Sequence, residues 1–316
     1  MNEIRNQLKS LFTGYWEYLA VHTACKLNIF DLIQKGHDTV EKLRTKTKTD
    51  KKVITLLIQA LLNKHYLIYI DESICLTDKS EYLTENHPLS LKNACILWGL
   101  DHLDAWQQLE KIVKTGKPVY DDYFEYLSKD KFKLENYHRA MFEYAIEDYK
   151  DITNVIDFSG CNKIMDVGGG LGALIKNIKS TYPHKKCYLL EKQEVIELVK
   201  LENIELIAGN FFQEIPDIAD CLILSRVVHD WEDKKASVIL NNCKKALPTK
   251  GKLVIIENFA DELDDGASLL SINMMVMCKS FERTKNEYLN LLMEAGFKII
   301  DTVKINRLQN AIIATK

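Results

Sequence analysis

The sequence lacks a long hydrophobic run and an amino-terminal segment of the secretory type. No apolar stretch approaches the ~18 residues that a membrane-spanning helix requires. Met1–Lys9 is polar and charged, without the apolar centre of a signal peptide. The 316 residues are 47% hydrophobic and 28% charged, an ordinary globular composition that allows two domains with proper cores. We therefore expect a soluble, cytoplasmic protein that does not act at a membrane.

Paired cysteines and an excess of positive charge are also absent. The eight cysteines form no C-x-x-C pair, and most of them lie in apolar runs. This pattern indicates reduced, packed thiols and excludes the usual zinc and disulfide frameworks. The net charge of −3 argues against a general nucleic-acid-binding protein.

The first hundred residues show the element order of a winged helix, in which helices precede a two-stranded hairpin. The elements are predicted over residues 1–34, Thr39–Thr47, Asp50–Lys64, Tyr66–Ile70 and Ile74–Thr77. Asp50 is the expected N-cap of its helix. The apolar face expected for that helix is Val53, Leu56, Leu57, Ala60 and Leu61.

Winged helices often bind DNA, and the charge of this segment tests that interpretation. Residues 40–66 carry a local charge of +5, but the wing over residues 71–85 carries −4. Phosphates would repel such a wing. We expect this domain to serve in association and no nucleic acid to bind.

The rest of the chain divides into a helical segment and an alternating α/β domain. We predict an association domain over residues 1–100, an aromatic-rich helical segment over 101–157 that contributes to a pocket, and a ligand-binding domain over 158–316. The predicted strands of the last domain are Lys163–Val167, Cys187–Glu191, Ile204–Ala208, Cys221–Ser225, Lys252–Glu257, Lys298–Ile305 and Ala311–Thr315. The fold class expected is α/β, with a Rossmann-like doubly wound parallel sheet that ends in an antiparallel hairpin.

A glycine-rich turn follows the first of these strands and fits two cofactor patterns. Gly168, Gly170 and Ala173 satisfy the dinucleotide pattern, with Glu191 about 20 residues further on. The same turn also fits the loop typical of S-adenosylmethionine-dependent methyltransferases, which comprises Asp166, Gly168, Gly170 and Gly172. A glycine turn that binds nothing is the third interpretation. The antiparallel hairpin favours S-adenosylmethionine over NAD.

His229 is the candidate catalytic residue because it lies just past the end of a predicted parallel strand. The carboxyl ends of such strands border the ligand crevice. Glu257 ends the next strand, and a carboxylate beside an imidazole raises the basicity that a general base requires. A purely structural histidine is the alternative. No second histidine or carboxylate stands at ligand spacing, so we expect no metal.

Four motifs, in order, carry a resemblance to a known family. They are Asp166–Gly172, Leu224–Trp231, Gly251–Glu257 and Glu282–Phe297. Together they resemble the O-methyltransferases that include plant caffeic acid and isoflavone enzymes, hydroxyindole O-methyltransferase and bacterial antibiotic-tailoring enzymes. The resemblance covers nearly the whole chain. It implies a class I methyltransferase fold, S-adenosyl-L-methionine as cofactor with S-adenosyl-L-homocysteine as product, no metal, a homodimer through the amino-terminal domain, and a small hydroxylated aromatic substrate.

The resemblance also implies roles for individual residues. His229 matches the catalytic base, flanked by Glu257 and Glu282. The implied cofactor contacts are Asp166, Gly168, Gly170, Gly172, Glu191, Asn210, Phe211, Ser225, Arg226 and Trp231. The residues assigned to the substrate pocket are Trp106, Met141, Phe142, Asp230, Asn273 and Met277, with core packing as the alternative for several of them.

The sequence departs from the family at three places. Glu191-Lys192-Gln193 stands where the family has Asp-Leu-Pro, and Asn210 replaces an aspartate. Lys279-Ser280 replaces two glycines, and Phe281 takes a position that is usually charged. The acceptor therefore stays open. The alternatives are C- or N-methylation, hydroxylation or decarboxylation on the same fold, a nicotinamide-dependent oxidoreductase, and a winged-helix ligand-sensing regulator.

Overall fold

A computed structural model of the protein describes residues 2–262, 264 and 268–316. The chain divides into two compact units, of which the first ends at Leu103 and the second comprises Asp104–Lys316. Among the described residues, none of the helices combines the length and the apolar character needed to cross a bilayer.

The first unit contains helices and a hairpin in the predicted order. Its elements are α1 (Asn2–Lys26), α2 (Ile29–Gln34), α3 (Val40–Thr47), α4 (Lys51–Asn63), β1 (Leu67–Ile70), β2 (Ser73–Leu76), α5 (Asp78–Glu81) and α6 (Lys92–Trp98). Asp50 caps α4, since its Oδ1 accepts the backbone N–H of Val53 at 3.0 Å. Asp71 and Glu72 have φ of 46° and 65°, the conformation that a tight two-residue hairpin requires.

The predicted apolar face of α4 is correct at Leu61 but otherwise lies on the wrong side of the helix. The helix buries Ile54, Ile58 and Leu61, whereas Val53 and Leu56 are 63% and 61% exposed. Apolar residues occur around most of the circumference of α4, so periodicity alone could not select the buried side. Packing against the rest of the unit, including Leu43 and Leu67, selects it.

The second unit is an α/β domain preceded by helices. Its helices are α7 (Asp101–Trp106, at the junction of the units), α8 (Leu109–Thr115), α9 (Tyr123–Ser128), α10 (Lys131–Asp148), α11 (Ile152–Val155), α12 (Ala173–Thr181), α13 (Gln193–Ile196), α14 (Asp233–Ala246), α15 (Leu270–Cys278) and α16 (Lys285–Glu294). Its strands are β3 (Lys163–Val167), β4 (Lys186–Glu191), β5 (Glu205–Ala208), β6 (Cys221–Ser225), β7 (Lys252–Asn258), β8 (Lys298–Lys304) and β9 (Gln309–Thr315).

The strands form one mixed sheet in the order β5-β4-β3-β6-β7-β9-β8. The first five strands in this order are parallel, and β9 pairs antiparallel with both β7 and β8. The predicted parallel sheet with its antiparallel hairpin is therefore confirmed. The carboxyl ends of β3, β4, β6 and β7 meet at one edge, where the glycine turn and His229 lie.

Apolar layers cover both faces of this sheet. Along β3, Met165 and Val167 pack into one cluster, whereas Ile164 packs into the cluster on the other face. Strands that are buried on both faces read as continuous apolar runs, which explains why they were visible in the sequence. All eight cysteines are free thiols, and five of them are buried.

A buried ion pair joins α2 to α6 within the first unit. The Nζ of Lys92 lies 2.8 Å from Oδ2 of Asp31 and 2.7 Å from Oδ1 of Asn28. The other oxygen of Asp31 accepts the backbone N–H of Glu85 at 2.8 Å. Both charged side chains are buried, so each depends on the other for its charge to be compensated.

We expect Asp31→Ala to destabilise the first unit by about 3 kcal/mol, because it removes the buried carboxylate that pairs with Lys92 and leaves the ammonium only the exposed Glu85, 3.9 Å away. Urea unfolding measures the free-energy change. The matched control is Glu110→Ala, which breaks the exposed pair with Lys114 and should change stability by less than about 0.5 kcal/mol. Equal effects of the two substitutions would contradict the role given to the buried pair.

Candidate active site

The loop between β3 and α12 leaves its backbone open to a ligand. Gly168, Gly170 and Gly172 have φ of +72°, +59° and +78°, in the left-handed region that favours glycine. A Cβ on Gly168 would lie 3.1 Å from Cγ2 of Val227 and 3.3 Å from Cε1 of Phe211. Any side chain larger than hydrogen at position 168 would therefore crowd Val227 and Phe211.

Asp166 lies beneath this loop, and its position explains why residue 169 is a glycine. No role for Gly169 followed from the sequence. A Cβ on Gly169 would lie 2.3 Å from Oδ2 of Asp166, so only glycine leaves room for the carboxylate. Neither oxygen of Asp166 accepts a hydrogen bond of good geometry from the described residues. Burial, together with the negative charge of Glu191, raises the pKa of Asp166 to about 7, and the backbone N–H of Ile175 offsets this only in part.

Glu191 is fixed against the glycine loop from the end of β4. Its Oε1 accepts the backbone N–H of Gly170 at 3.3 Å, and its Oε2 accepts the backbone N–H of Lys192 at 2.7 Å. Burial raises the pKa of this carboxyl. The topology thus places Glu191 beside Asp166 and the glycines, so that a buried acid and a half-buried acid line one side of the crevice.

Aromatic rings form the neighbouring wall. Asn210 turns the chain because its Oδ1 accepts the backbone N–H of Phe212 at 2.9 Å. The ring centroids of Phe211 and Phe212 are 4.8 Å apart, and Phe212 and Trp231 are also 4.8 Å apart. Trp231 is buried in this group and belongs to the apolar cluster on that face of the sheet.

His138, on α10, lies beside the glycine loop. The sequence pattern did not identify it as a residue of the site. Its Nδ1 is 3.5 Å from the position that a Cβ on Gly170 would occupy. Burial lowers the pKa of His138 to about 4, so the ring is a neutral imidazole. A lone histidine on a helix gave no signal, because the contact joins residues that are distant in sequence.

The end of β6 is linked to α10 by Ser225 and Arg226. The Oγ of Ser225 lies 2.6 Å from the hydroxyl of Tyr149. Arg226 has φ of +52°, and its guanidinium lies 3.5 Å from Oδ2 of Asp148 and donates to the carbonyl of Met141 at 3.5 Å. Tyr149 and Asp148 are thus further parts of the site that sequence reasoning had not identified.

The imidazole of His229 is bracketed by two glutamates. His229 lies in a 3-10 turn, Val228–Asp230, directly after β6. Its Nδ1 is 3.2 and 3.3 Å from the two carboxylate oxygens of Glu282 and 3.7 Å from Oε2 of Glu257. The amide of Asn258 orients Glu282 by donating to its Oε1 at 3.0 Å.

Glu257 holds mainly the backbone of this turn, whereas the sequence had suggested that it holds the ring. Its Oε1 accepts the backbone N–H groups of Val227, Val228 and His229 at 3.1, 2.8 and 3.4 Å. Glu257 is fully buried. A single carboxylate therefore satisfies the backbone donors of the segment that presents His229.

The charges of this group favour a proton on His229. Burial disfavours the imidazolium, but the negative charges of Glu257, Glu282 and Asp230 outweigh it and raise the pKa of His229 to about 10. Burial raises the pKa of Glu257 to about 7 and that of Asp230 to about 6. Burial acts in the same direction on Glu282, yet the His229 charge and hydrogen bond lower its pKa.

The residues assigned to the substrate pocket separate into different surroundings. Asp230 lies on the same 3-10 turn as His229, with Oδ1 3.6 Å from Nε2 of His229, and it accepts a weak bond from the thiol of Cys278 at 3.9 Å. The indole N–H of Trp106 donates to Oδ1 of Asn273 at 2.9 Å. Met277 packs into an apolar cluster. This agrees with core packing, the alternative to a place in the substrate pocket. Met141 and Phe142 lie half-buried on α10.

Comparison with known proteins gives one family and relatives that span the chain. The model of a family described as O-methyltransferase domain matches residues 106–298. A phenazine O-methyltransferase of Lysobacter antibioticus is 27% identical over 308 residues, which cover 92% of this chain and 90% of the relative. A phenazine-1-carboxylate N-methyltransferase of Pseudomonas aeruginosa is 24% identical over 98% of this chain and 96% of its own. The structure of human N-acetylserotonin methyltransferase in complex with S-adenosylmethionine superposes with a TM-score of 0.90, at 26% identity, over 100% of this chain and 98% of that one.

We expect Glu282→Gln to lower the pKa of His229 below its value of about 10, because the substitution removes a negative charge beside Nδ1 while keeping the side-chain shape. Titration of the imidazole signals by NMR measures this, with the His229 signal assigned from a His229→Gln spectrum. Glu287→Gln is the matched control, because Glu287 caps α16 and should leave the His229 titration unchanged. An unaltered His229 pKa in Glu282→Gln would contradict the electrostatic role of that glutamate.

Proposed function

We propose, from the premise that this chain belongs to the O-methyltransferase domain family, that it methylates a hydroxyl group of a small aromatic molecule with His229 as general base. The chain is an S-adenosylmethionine-dependent O-methyltransferase. Relatives named for phenazine and for acetylserotonin support an aromatic acceptor. The observation that carries the proposed mechanism is the contact between Nδ1 of His229 and the carboxylate of Glu282.

The crevice residues fit S-adenosylmethionine, which when bound supplies a methyl group on a positively charged sulfonium sulfur. The glycine loop leaves a cradle that a Cβ would fill, and Phe211 lies against it. Asp166 has a buried carboxyl with no hydrogen-bond partner of good geometry among the described residues, and Glu191 presents a second acid at the adjoining strand end. An acid at the end of this second strand can accept hydrogen bonds from ribose hydroxyls, which is the role that the family resemblance implies for Glu191. We therefore assign the cofactor contacts to Asp166, Gly168, Gly170, Glu191, Asn210 and Phe211, and propose Gly172, Ser225, Arg226 and Trp231 as supports around them.

His229 would act through Nε2. Glu282 accepts from Nδ1, so in the neutral imidazole the N–H lies on Nδ1 and Nε2 carries the free electron pair. A phenolic hydroxyl has a pKa of ~10, which an imidazole with a pKa of about 10 matches as proton acceptor. The hydroxyl proton moves to Nε2 as the oxygen becomes the nucleophile. Glu282 then stabilises the imidazolium that forms.

N-methylation is the second candidate, since one relative of nearly equal length is an N-methyltransferase. An amine that carries a free electron pair can attack before it loses a proton, so it needs no general base at that step. The three-group arrangement of His229, Glu257 and Glu282 serves a hydroxyl acceptor better. A panel of matched phenols and anilines distinguishes the two functions.

We expect His229→Ala to lower turnover of a phenolic acceptor by roughly 10²–10⁴-fold, the usual contribution of a general base. Wild-type turnover should rise with pH above 7, because the raised pKa of His229 keeps the neutral base scarce there. Methyl transfer to a phenol panel, followed by mass spectrometry, is the measurement.

Calorimetric titration with S-adenosylhomocysteine is the control for that experiment, and the variant should bind it as wild type does. Turnover close to wild type in His229→Ala would reject the acid–base mechanism. Binding of NAD in place of S-adenosylhomocysteine would reject the assignment of the glycine loop.

We further propose that the enzyme is a homodimer that associates through α1. Large apolar side chains form an exposed stripe along this helix, each between 48% and 71% exposed, and they are Ile4, Leu8, Leu11, Phe12, Tyr15 and Trp16. The spacing of three and four residues places them on one face of the helix. A contiguous apolar face of this size is typical of a protein–protein interface. A second copy of the chain is the occupant that the family resemblance implies.

We expect wild-type protein to have the mass of a dimer in light scattering at micromolar concentration, and Leu11→Glu/Trp16→Glu to have that of a monomer. Two buried carboxylates would be expensive to desolvate at the interface. Asn6→Glu, which adds a charge elsewhere on α1, should remain dimeric. A monomeric wild type, or a dimeric double variant, would reject α1 as the interface.

A further inference from the structure

We propose that Arg283 is a positioning residue that fixes the backbone of the catalytic turn and thereby holds His229 in place. This inference rests on the proposed role of His229 as general base. Arg283 follows Glu282 directly, and its guanidinium is 2% exposed. The sequence motif contains this arginine, but no role had been assigned to it.

The contacts of Arg283 are made to the two ends of the turn. Its Nη1 donates to the carbonyl of Val228 at 3.0 Å, and its Nη2 donates to the carbonyl of Trp231 at 2.6 Å. These two carbonyls flank His229-Asp230 in the chain. The planar guanidinium can reach both of them at once, which a lysine ammonium on a flexible stem cannot do with the same geometry.

The turn is therefore held by two groups of opposite charge. Glu257 accepts its backbone N–H groups, and Arg283 donates to its backbone carbonyls. Each charge matches the polarity of the groups it meets. The carbonyl of Val228 also accepts the backbone N–H of Trp231, at 3.3 Å, so Arg283 adds a second bond there. A buried carbonyl that loses a partner costs free energy.

The loop that carries Arg283 also carries the carboxylate that contacts the ring. Glu282 holds Nδ1 of His229, while Arg283 holds the backbone on either side of that residue. One short segment thus controls both the side chain and the main chain of the base. Displacing the turn would move Nε2 relative to the acceptor oxygen, and a misplacement of ~1 Å can cost about 10²-fold in rate.

Asp233 supplies a partner for the guanidinium at the first position of α14. Its Oδ1 lies 3.0 Å from Nε and 2.8 Å from Nη2 of Arg283. The carboxylate of Asp233 is 71% exposed, so it is the solvent-facing end of the network. Its removal should leave the contacts to the two carbonyls in place, which makes Asp233→Asn a matched control.

The experiment compares Arg283→Met, Arg283→Lys and Asp233→Asn in turnover assays and in S-adenosylhomocysteine titrations. We expect Arg283→Met to lower kcat by about 10- to 100-fold with KM and cofactor affinity within a factor of about 3. Arg283→Lys should lie between Arg283→Met and wild type, and Asp233→Asn should stay within about 3-fold of wild type. If Arg283→Met does not fold, Arg283→Lys provides the same readout.

A double-mutant cycle separates positioning from a general structural contribution. In the His229→Ala background, Arg283→Met should cost less than about 2-fold, because the residue it positions is absent. A loss of equal size in both backgrounds would overturn the proposal. Loss of cofactor binding together with kcat would also overturn it, since that result indicates a wider structural effect.

An NMR titration of His229 tests the positioning role of Arg283 independently of the general-base role proposed for His229. In Arg283→Met, a turn that has moved away from the glutamates should give His229 a lower pKa. Removal of a nearby positive charge alone would raise it, so an unchanged or raised pKa overturns the proposal. Should His229→Ala retain wild-type turnover, the general-base mechanism fails, and this titration still decides whether Arg283 positions the ring.

Discussion

The catalytic end of the sheet depends on how the chain leaves β6 while its polar backbone groups stay buried. Glu257 accepts the N–H groups of the turn that follows, and Arg283 donates to carbonyls on either side of His229. An apolar surrounding makes these bonds worth more and makes their loss more costly. The ring of His229 is rigidly presented because the backbone that carries it has so few alternatives.

The same site concentrates buried negative charge, and this has consequences for stability. The pKa values of Asp166 and Glu257 are raised to about 7, and that of Asp230 to about 6. A carboxyl with a raised pKa binds its proton more tightly in the folded chain than in the unfolded one. These groups therefore stabilise the fold at low pH and reduce its stability as pH rises from about 4 to about 7. His229 and Glu282 act in the opposite sense near neutral pH, because each shifts the pKa of the other toward its charged form. Carboxyl and imidazole groups with shifted pKa values cluster at functional sites.

The sequence predicted those features that depend on local patterns. Buried strands appear as continuous apolar runs, and the positive φ of Gly168 and Gly170 explains why glycines occur there. The carboxyl ends of parallel strands meet at one edge, so topology alone brought His229, Glu191 and Glu257 to one crevice. Features that depend on packing between distant segments were not predictable. The buried face of α4, the contact of His138 with the glycine loop and the bond between Tyr149 and Ser225 belong to this class.

The backbone conformation at Lys279-Ser280 shows what the replacement of the two family glycines requires. Lys279 has φ of +55° at the carboxyl end of α15, the left-handed position where helices usually end in glycine. Its ion pair with Glu232, at 2.9 Å, offsets part of the strain that a side chain meets in that conformation. Ser280 is buried, whereas Phe281 is 49% exposed. With these residues in place of the glycines, Glu282 still contacts the ring of His229 and Arg283 still donates to the carbonyls of Val228 and Trp231. The loop therefore accommodates Lys279-Ser280 without losing the groups that hold His229.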